Sequence, residues 1–335
     1  MRKIIILTSV ITYSLFANNV QAAQNVCVFD LLGRAGESYK MMEEWALNAK
    51  KWGADVKLTA YQKEELADQD FKNGKCDGVA LTTMRSRPYN KFAGSIDAIG
   101  AVTSNEISRK AISYALDERN SSRLVTPYKG HSIEVVGITP IGIAYIYVRD
   151  RSINNIERMI GKKFAYLHYD NAQKVTIERF GAVGVPSDIG NFVQKFNQGQ
   201  VDMIASPAYA FKPLEIYKGL ANNGAIYNFP VVNVTADLII RQDRFPKNFG
   251  TQSRAWFVKQ LPKTFANIKK MENDIPAKYK ANISAEDYTR YQKLLRDGRI
   301  ELTKNGVYDT QMIRVLKKAR CTVERTNFEC SLAGE

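Results

Sequence analysis

A ten-residue frame occurs twice in this chain, as FKNGKCDGVA at residues 71–80 and as FNQGQVDMIA at residues 196–205. Both copies set Phe, Gly, Asp, then Val or Ile, then Ala at the same spacing. An apolar-periodic segment precedes each copy and an apolar run follows it. This pattern marks a helix-to-strand joint: an inward Phe closes the helix, Gly caps it, Asp opens the turn, and a buried strand begins. Such joints recur wherever an α/β protein links helix to strand, so the surroundings must decide whether the repeat reflects two similar lobes.

The surroundings match. VCVFDLL reads as a strand, residues 37–52 as a helix with Met41, Met42, Trp45, Ala49 and Trp52 on one face, and DVKLTAY as a strand. EELADQDFKNG is the next helix, and CDGVALTT the next strand. In the second half GKKFAYL is a strand, NAQKVTIERFG a helix and GVP a short extended segment. A helix starting at Ser187–Asp188 then carries Ile189, Phe192, Val193 and Phe196 inward, and VDMIAS follows as a strand. Two βαβαβ runs imply parallel pairing with right-handed crossovers. IGIAYIYVRD and YNFPVVNVTADLIIRQDRF read as long strands running between the lobes. From about Thr251 the chain is helical, with Ser284 and Asp287 in the pattern of a capping box. The fold class expected is α/β, each lobe a mainly parallel sheet flanked by helices, joined by crossing strands and completed by a helical C-terminal part.

The first residues set the compartment. Arg2 and Lys3 precede the apolar run IIILTSVITYSLF, and Val20-Gln21-Ala22 offers small residues for a signal peptidase. Residues 1–22 are therefore expected to be a signal peptide cleaved near Ala22, and the mature chain a periplasmic monomer without stable membrane insertion. No later stretch approaches the ~18 apolar residues of a membrane span. The chain carries 48 Lys and Arg against 34 Asp and Glu, a net charge of +14. The leader holds two of those basic residues and none of the acidic ones, which leaves +12. The basic residues are spread along the chain. That excess fits either a diffusely solvated surface or a charge tuned to an anionic ligand. Four cysteines in an exported chain read as disulfides, with three pairings open. Cys321 with Cys330 is the simplest closure. It leaves Cys27 with Cys76, each at the start of a strand-like run, which a parallel sheet would bring side by side.

Ligands of open parallel sheets bind beyond the carboxyl ends of the strands. That rule selects Phe29, Asp30 and Arg34 after the first strand, ahead of a helix N-terminus able to attract an anion. It selects Arg85, Arg87 and Tyr89 after the third. In the second half it selects His168, Tyr169 and Asn171, and then Ser206, Tyr209, Phe211 and Lys212. Aromatic rings with a few directed charges suit a small polar solute. Each residue also has a plainer reading: arginines solvated or paired with acids, Tyr209 and Phe211 in the core, His168 satisfied within its loop. Asp77 and Asp202 are expected to organise their turns.

Catalysis has little footing. The chain has two histidines, His131 and His168, far apart in sequence, and no GxSxG, HExxH, GxGxxG or Walker-type loop. No CxxC or His–Cys cluster points to a metal, no cofactor motif appears, and no nucleic-acid-binding module is recognised. A binding protein is expected, not an enzyme.

The order of elements resembles a type II-like periplasmic solute-binding protein, above all the receptors of TRAP transporters that bind dicarboxylates. The segment Gly161-Lys162-Lys163-Phe164-Ala165-Tyr166, then Arg179-Phe180-Gly181-Ala182, then FNQGQVDMIASP carries that likeness. It implies closure of two lobes on a solute and delivery to an inner-membrane permease. One lobe would comprise residues 23–138 with about 245–335, and the other about 139–244. The arginine with which that family clamps its ligand falls at Ala165 here, so a carboxylate would need its charge from Arg85, Arg87 or Lys212. An organic or sugar acid is the solute favoured, with a neutral solute or an amine left open. CVFDLLGRAG and KCDGVALTTMRSRPYNKFAGSIDAIG are also similar to a group of solute-binding proteins. Some of its members carry a label as accessories of RND-type efflux and aminoglycoside resistance. That label implies efflux components as partners, although long heptad hairpins and transmembrane helices are both missing from the pattern.

Overall fold

A computed structural model describes residues 23–335, so the expected signal peptide lies outside the described residues. In chain order the first half gives β1 (Gln24–Phe29), α1 (Glu37–Lys51), β2 (Val56–Tyr61), α2 (Glu64–Lys72), β3 (Gly78–Thr82), the single turn α3 (Thr83–Ser86), α4 (Asn105–Ala115), β4 (Val125–Tyr128) and β5 (His131–Val148). The second half continues with α5 (Ile156–Met159), β6 (Lys163–Leu167), α6 (Asn171–Arg179), β7 (Val183–Ser187), α7 (Phe192–Asn197), β8 (Met203–Pro207), α8 (Tyr217–Leu220) and β9 (Ala225–Arg241). The chain ends with α9 (Phe249–Asn273), β10 (Lys280–Ala281), α10 (Ala285–Lys304) and α11 (Thr310–Val323).

All ten strands belong to one sheet, with the central order β2-β1-β3-β9-β5-β8-β6-β7. β1 pairs in parallel with β2 and β3, and β6 in parallel with β7 and β8. Between these two trios run β5 and β9, antiparallel to each other and to the strands they flank. The βαβαβ runs thus form two parallel trios, and the long strands cross between them. β5 is longer than its apolar pattern indicated: it begins at His131, ten residues before Ile141. Its early half is buried against β9 on one side and α9 on the other. Gly137 permits this, because a Cβ there would lie 2.2 Å from the Phe257 ring of α9.

The two frames fold alike. Phe71 and Phe196 are both fully buried, and Gly74 and Gly199 both take left-handed backbone, with φ of +77° and +74°. Asp77 Oδ2 accepts from the Asn25 amide at 2.9 Å, and Asp202 Oδ2 from the Lys163 amide at 2.8 Å. In return the two Asp amides donate to the carbonyls of Asn25 and Lys163. Each Asp therefore ties a new strand to the start of its parallel neighbour.

Both disulfides are formed, Cys27–Cys76 and Cys321–Cys330, with Cα separations of 5.9 and 5.7 Å. The Ser284 hydroxyl accepts from the Asp287 amide and donates to the Asp287 carboxylate, capping α10. One helix boundary differs from expectation. Ser187 closes β7 rather than opening a helix, because Asp188 and Asn191 bond each other's side chain and backbone in a local turn. α7 starts only at Phe192. α9 runs unbroken for 25 residues through Pro262. Among the described residues no helix is long and apolar enough to cross a membrane.

Candidate functional site

Where the crossing strands pass between the two trios lies a partly open cavity of about 160 Å³. β5 and β9 supply Ile141, Ala144, Val231, Val232, Val234 and Ala236. From the β6–β8 side come Phe164, Ala165, Tyr166, Ala205 and Pro207, with Thr176 and Ile177 of α6 and Phe180 just beyond it. Phe29, Asp30, Leu81 and Met84 close the wall on the β1–β3 side. Aliphatic and aromatic groups dominate. Among the described residues, Asp30 is the one charged side chain on the wall.

Asp30 is buried and fully engaged. Its Oδ2 accepts from the amides of Ser38 (2.9 Å) and Tyr39 (3.2 Å), in the first turn of α1. Its Oδ1 accepts from the Leu32 amide (2.9 Å) and the Tyr209 hydroxyl (2.8 Å). A carboxylate offers about four lone-pair sites, and all are used here. The N-terminus of α1, where an anion would find unpaired amides and a favourable dipole, is thus filled by the chain's own carboxylate. Gly36 makes room for it, since a Cβ there would sit 1.8 Å from Oδ1. Burial, together with the Asp30 charge, raises the Tyr209 pKa, so this phenol stays a donor.

Of the thirteen residues picked out on the loops, the structure brings Phe29, Asp30 and Tyr209 to the cavity wall. The cationic candidates are held elsewhere. Arg87 donates to Asp170 (2.9 Å), Asp97 (2.6 Å) and the Gly94 carbonyl (2.7 Å). Burial lowers its pKa, but the two carboxylates outweigh that and keep it charged. The Arg85 guanidinium lies 3.6 Å over the Tyr169 ring and 3.5 Å from Glu64. Tyr169 donates to Glu64 (2.9 Å), whose carboxyl is raised by a burial that its hydrogen bonds do not offset. Lys212 pairs with Asp274 in solvent, and Arg34 and Asn171 are exposed. Tyr89 is buried against Phe71 and Tyr128 and donates to Asp68. His168 Nδ1 lies 3.0 Å from the Ser187 carbonyl. Ser206 donates to the Pro207 carbonyl (3.3 Å), and Phe211 packs with Tyr217 and Tyr279 in a second core.

Sequence reasoning missed the crossing-strand residues and the α6 face. The missed signal is the apolar run of β9, VVNVTA, whose residues 231, 232, 234 and 236 all line the cavity. Gln173 of α6 was missed too. Its Oε1 accepts from the Leu167 amide (3.0 Å), while its Nε2 faces the Met84 thioether (3.1 Å), a weak acceptor.

Contacts that bridge the trios around this cavity include Tyr209–Asp30, Tyr169–Glu64 and Arg87–Asp170.

Comparison with known proteins agrees with this architecture. The family described as "Solute-binding protein AdeT 1/2" matches residues 15–335. The chain is 42% identical over 309 residues to the probable solute-binding protein AdeT1 of Acinetobacter baumannii, covering 92% of this chain and all of that protein. Among solved structures, a TRAP periplasmic solute-binding protein from Ralstonia eutropha with bound (S)-2-acetolactate is similar, with TM-score 0.72 and 13% identity. That match covers 90% of this chain and 99% of that one. Another from Desulfovibrio salexigens, with bound orotic acid, has TM-score 0.70 and 12% identity over the same shares. At these identities the likeness shows the fold: two lobes of the TRAP receptor type.

Proposed function

The chain belongs to the AdeT 1/2 family of solute-binding proteins, and from that premise we propose that it works in the periplasm as the receptor of a TRAP-like uptake system. It is a solute-binding protein of two-lobe α/β fold. On our reading, residues 23–138 with about 245–335 form one lobe and about 139–244 the other, after removal of residues 1–22. The lobes close on a solute held in the cavity between the crossing strands, and the loaded form docks on a membrane permease. Catalysis has no part in this reading. The efflux alternative draws no support from the comparisons, since the relatives reported are themselves solute-binding proteins.

One observation carries the proposal: a partly open cavity lies where the crossing strands meet both parallel trios, bridged by side chains from each. Expression with the native leader should deliver the protein to the periplasmic fraction, with residue 23 as its new N-terminus. Native mass spectrometry of that material should reveal one small solute per chain. Filling the cavity with Ala205→Trp should remove it, at a stability cost of about 1–3 kcal/mol for overpacking. Protein that retains no solute, and is stabilised by none in a thermal-shift panel of metabolites, would end the receptor reading.

A further inference from the structure

Resting on that receptor reading, we infer that the solute is an uncharged molecule of about one ring's size, with a compact apolar body and one hydrogen-bond-accepting end. The cavity holds about 160 Å³ behind a mainly apolar wall, whose neutral polar groups are Ser38, Thr82, Tyr166, Gln173, Thr176 and Tyr209. A cavity of about 150 Å³ with a similar lining is large enough to hold benzene. Among the described residues no Lys, Arg or His lines it. A carboxylate placed there would lose its water and gain no cation. The nearby arginines cannot turn inward without abandoning buried acids, because Arg87 serves Asp97 and Asp170, and Arg85 serves Glu64 and the Tyr169 face. An unpaired buried charge is among the costliest arrangements in a protein interior.

An ammonium fares no better. Asp30 is the one carboxylate on the wall, and its four acceptor sites already serve Leu32, Ser38, Tyr39 and Tyr209. Pairing with a cation would mean breaking the cap of α1 or the bridge to Tyr209. The helix N-terminus, the cavity's potential anion site, is likewise spent on Asp30. Both charge signs are therefore excluded by groups already satisfied.

What the wall does offer is a donor. Gln173 lies on the cavity with Oε1 fixed by the Leu167 amide, so that its Nε2 is held in place, and its acceptor among the described residues is the Met84 thioether. A carbonyl or ether oxygen of the solute is a stronger acceptor than that sulfur. Gln173, with the buried Thr82 hydroxyl also on the wall, is thus the residue we assign to the polar end, and Ala165 and Ala205 leave room for the body.

The test uses matched single-ring probes on the full mature protein. Benzamide, benzyl alcohol, benzoate and benzylammonium share size and shape but differ in charge. Isothermal titration at pH 7.5 should show the two neutral probes binding, with both charged ones at least about tenfold weaker. Gln173→Met should cost benzamide roughly fivefold, the worth of one neutral hydrogen bond, while toluene binding stays unchanged. Benzoate or benzylammonium binding as tightly as benzamide would overturn the inference and leave the receptor reading standing. Silence from every probe would also overturn it, and the co-purified solute seen by native mass spectrometry would then judge the receptor reading separately. Should Gln173→Met fail to fold, the charge series on the unaltered protein decides alone.

Discussion

The two frames are near copies in backbone and opposites in use. Each buries a Phe, turns on a left-handed Gly and ties its strand to a neighbour through an Asp carboxylate. Two residues beyond the amide that each Asp holds, at Asn25 and at Lys163, the copies diverge. The first copy has Cys27, cross-linked to Cys76, and the second has Ala165 on the cavity wall. The strands they launch diverge as well. β3 runs into α3, where Thr83 and Ser86 donate to the buried Asp237 at 3.1 and 2.5 Å. β8 runs to Pro207 and Tyr209 at the cavity. A shared joint sets where strands start and how they pair, but the residues beyond it decide whether that half is braced or left open for a guest.

The largest test of this contrast is the brace. Replacing Cys27 and Cys76 by Ser should cost about 2–4 kcal/mol in chemical denaturation, against no comparable covalent term in the second half. A loss no larger than that of a surface substitution would remove the asymmetry.

Next is the buried acid at the end of β3. Burial pushes the Asp237 pKa up to about 6, despite the hydroxyls of Ser86 and Thr83 and the charge of Arg87. A carboxyl raised on folding adds stability that is fully present below about pH 4 and lost as pH rises through about 6. Asp97, also raised by burial against the pull of Arg87, works in the same direction. Unfolding free energy from these groups should therefore be greater at pH 5 than at pH 8, by about 1–1.5 kcal/mol for Asp237. Asp237→Asn should flatten that slope, and an unchanged pH profile would show the carboxyl to be better solvated than its position indicates.

Smaller effects probe the likeness instead. Asp77→Ala and Asp202→Ala should each cost about 1–2 kcal/mol, since each strands one backbone amide. The exposed Arg244 partner of Asp77 should add little. Unequal losses would show that the two joints only look alike. Gly74→Ala and Gly199→Ala should each cost about 1 kcal/mol through the left-handed backbone alone, because Gly74 has no neighbour within 4 Å and Gly199 meets only the Arg149 side chain at 3.4 Å.

Much of the architecture was legible because it is written locally. Helix faces, the glycine turns, the capping box at Ser284 and the strand-leading cysteines all declare themselves within a few residues. The cavity was harder to see because its chemistry depends on partners distant in sequence. Arg87 looks like a ligand contact until Asp97 and Asp170 are folded against it, and Arg85 until Tyr169 and Glu64 arrive. The loop rule led to charged tips, while the wall is built by strand interiors such as Val231, Val234 and Ala236, which read as ordinary core. Ala165 was the exception: its position was marked in advance as the place where a cation was missing.

The bridges across the cavity also bear on timing. Tyr209–Asp30, Tyr169–Glu64 and Arg87–Asp170 hold the halves together through the chain's own side chains. On the receptor reading these bonds part before a solute enters, and that opening then sets the pace of uptake. In stopped-flow mixing the observed rate should climb with solute concentration and then level off at the opening rate. Arg87→Lys, which keeps the charge but loses the two-pronged grip on Asp97 and Asp170, should lift that plateau. A rate that stays linear at every concentration would mean the solute passes without the halves moving.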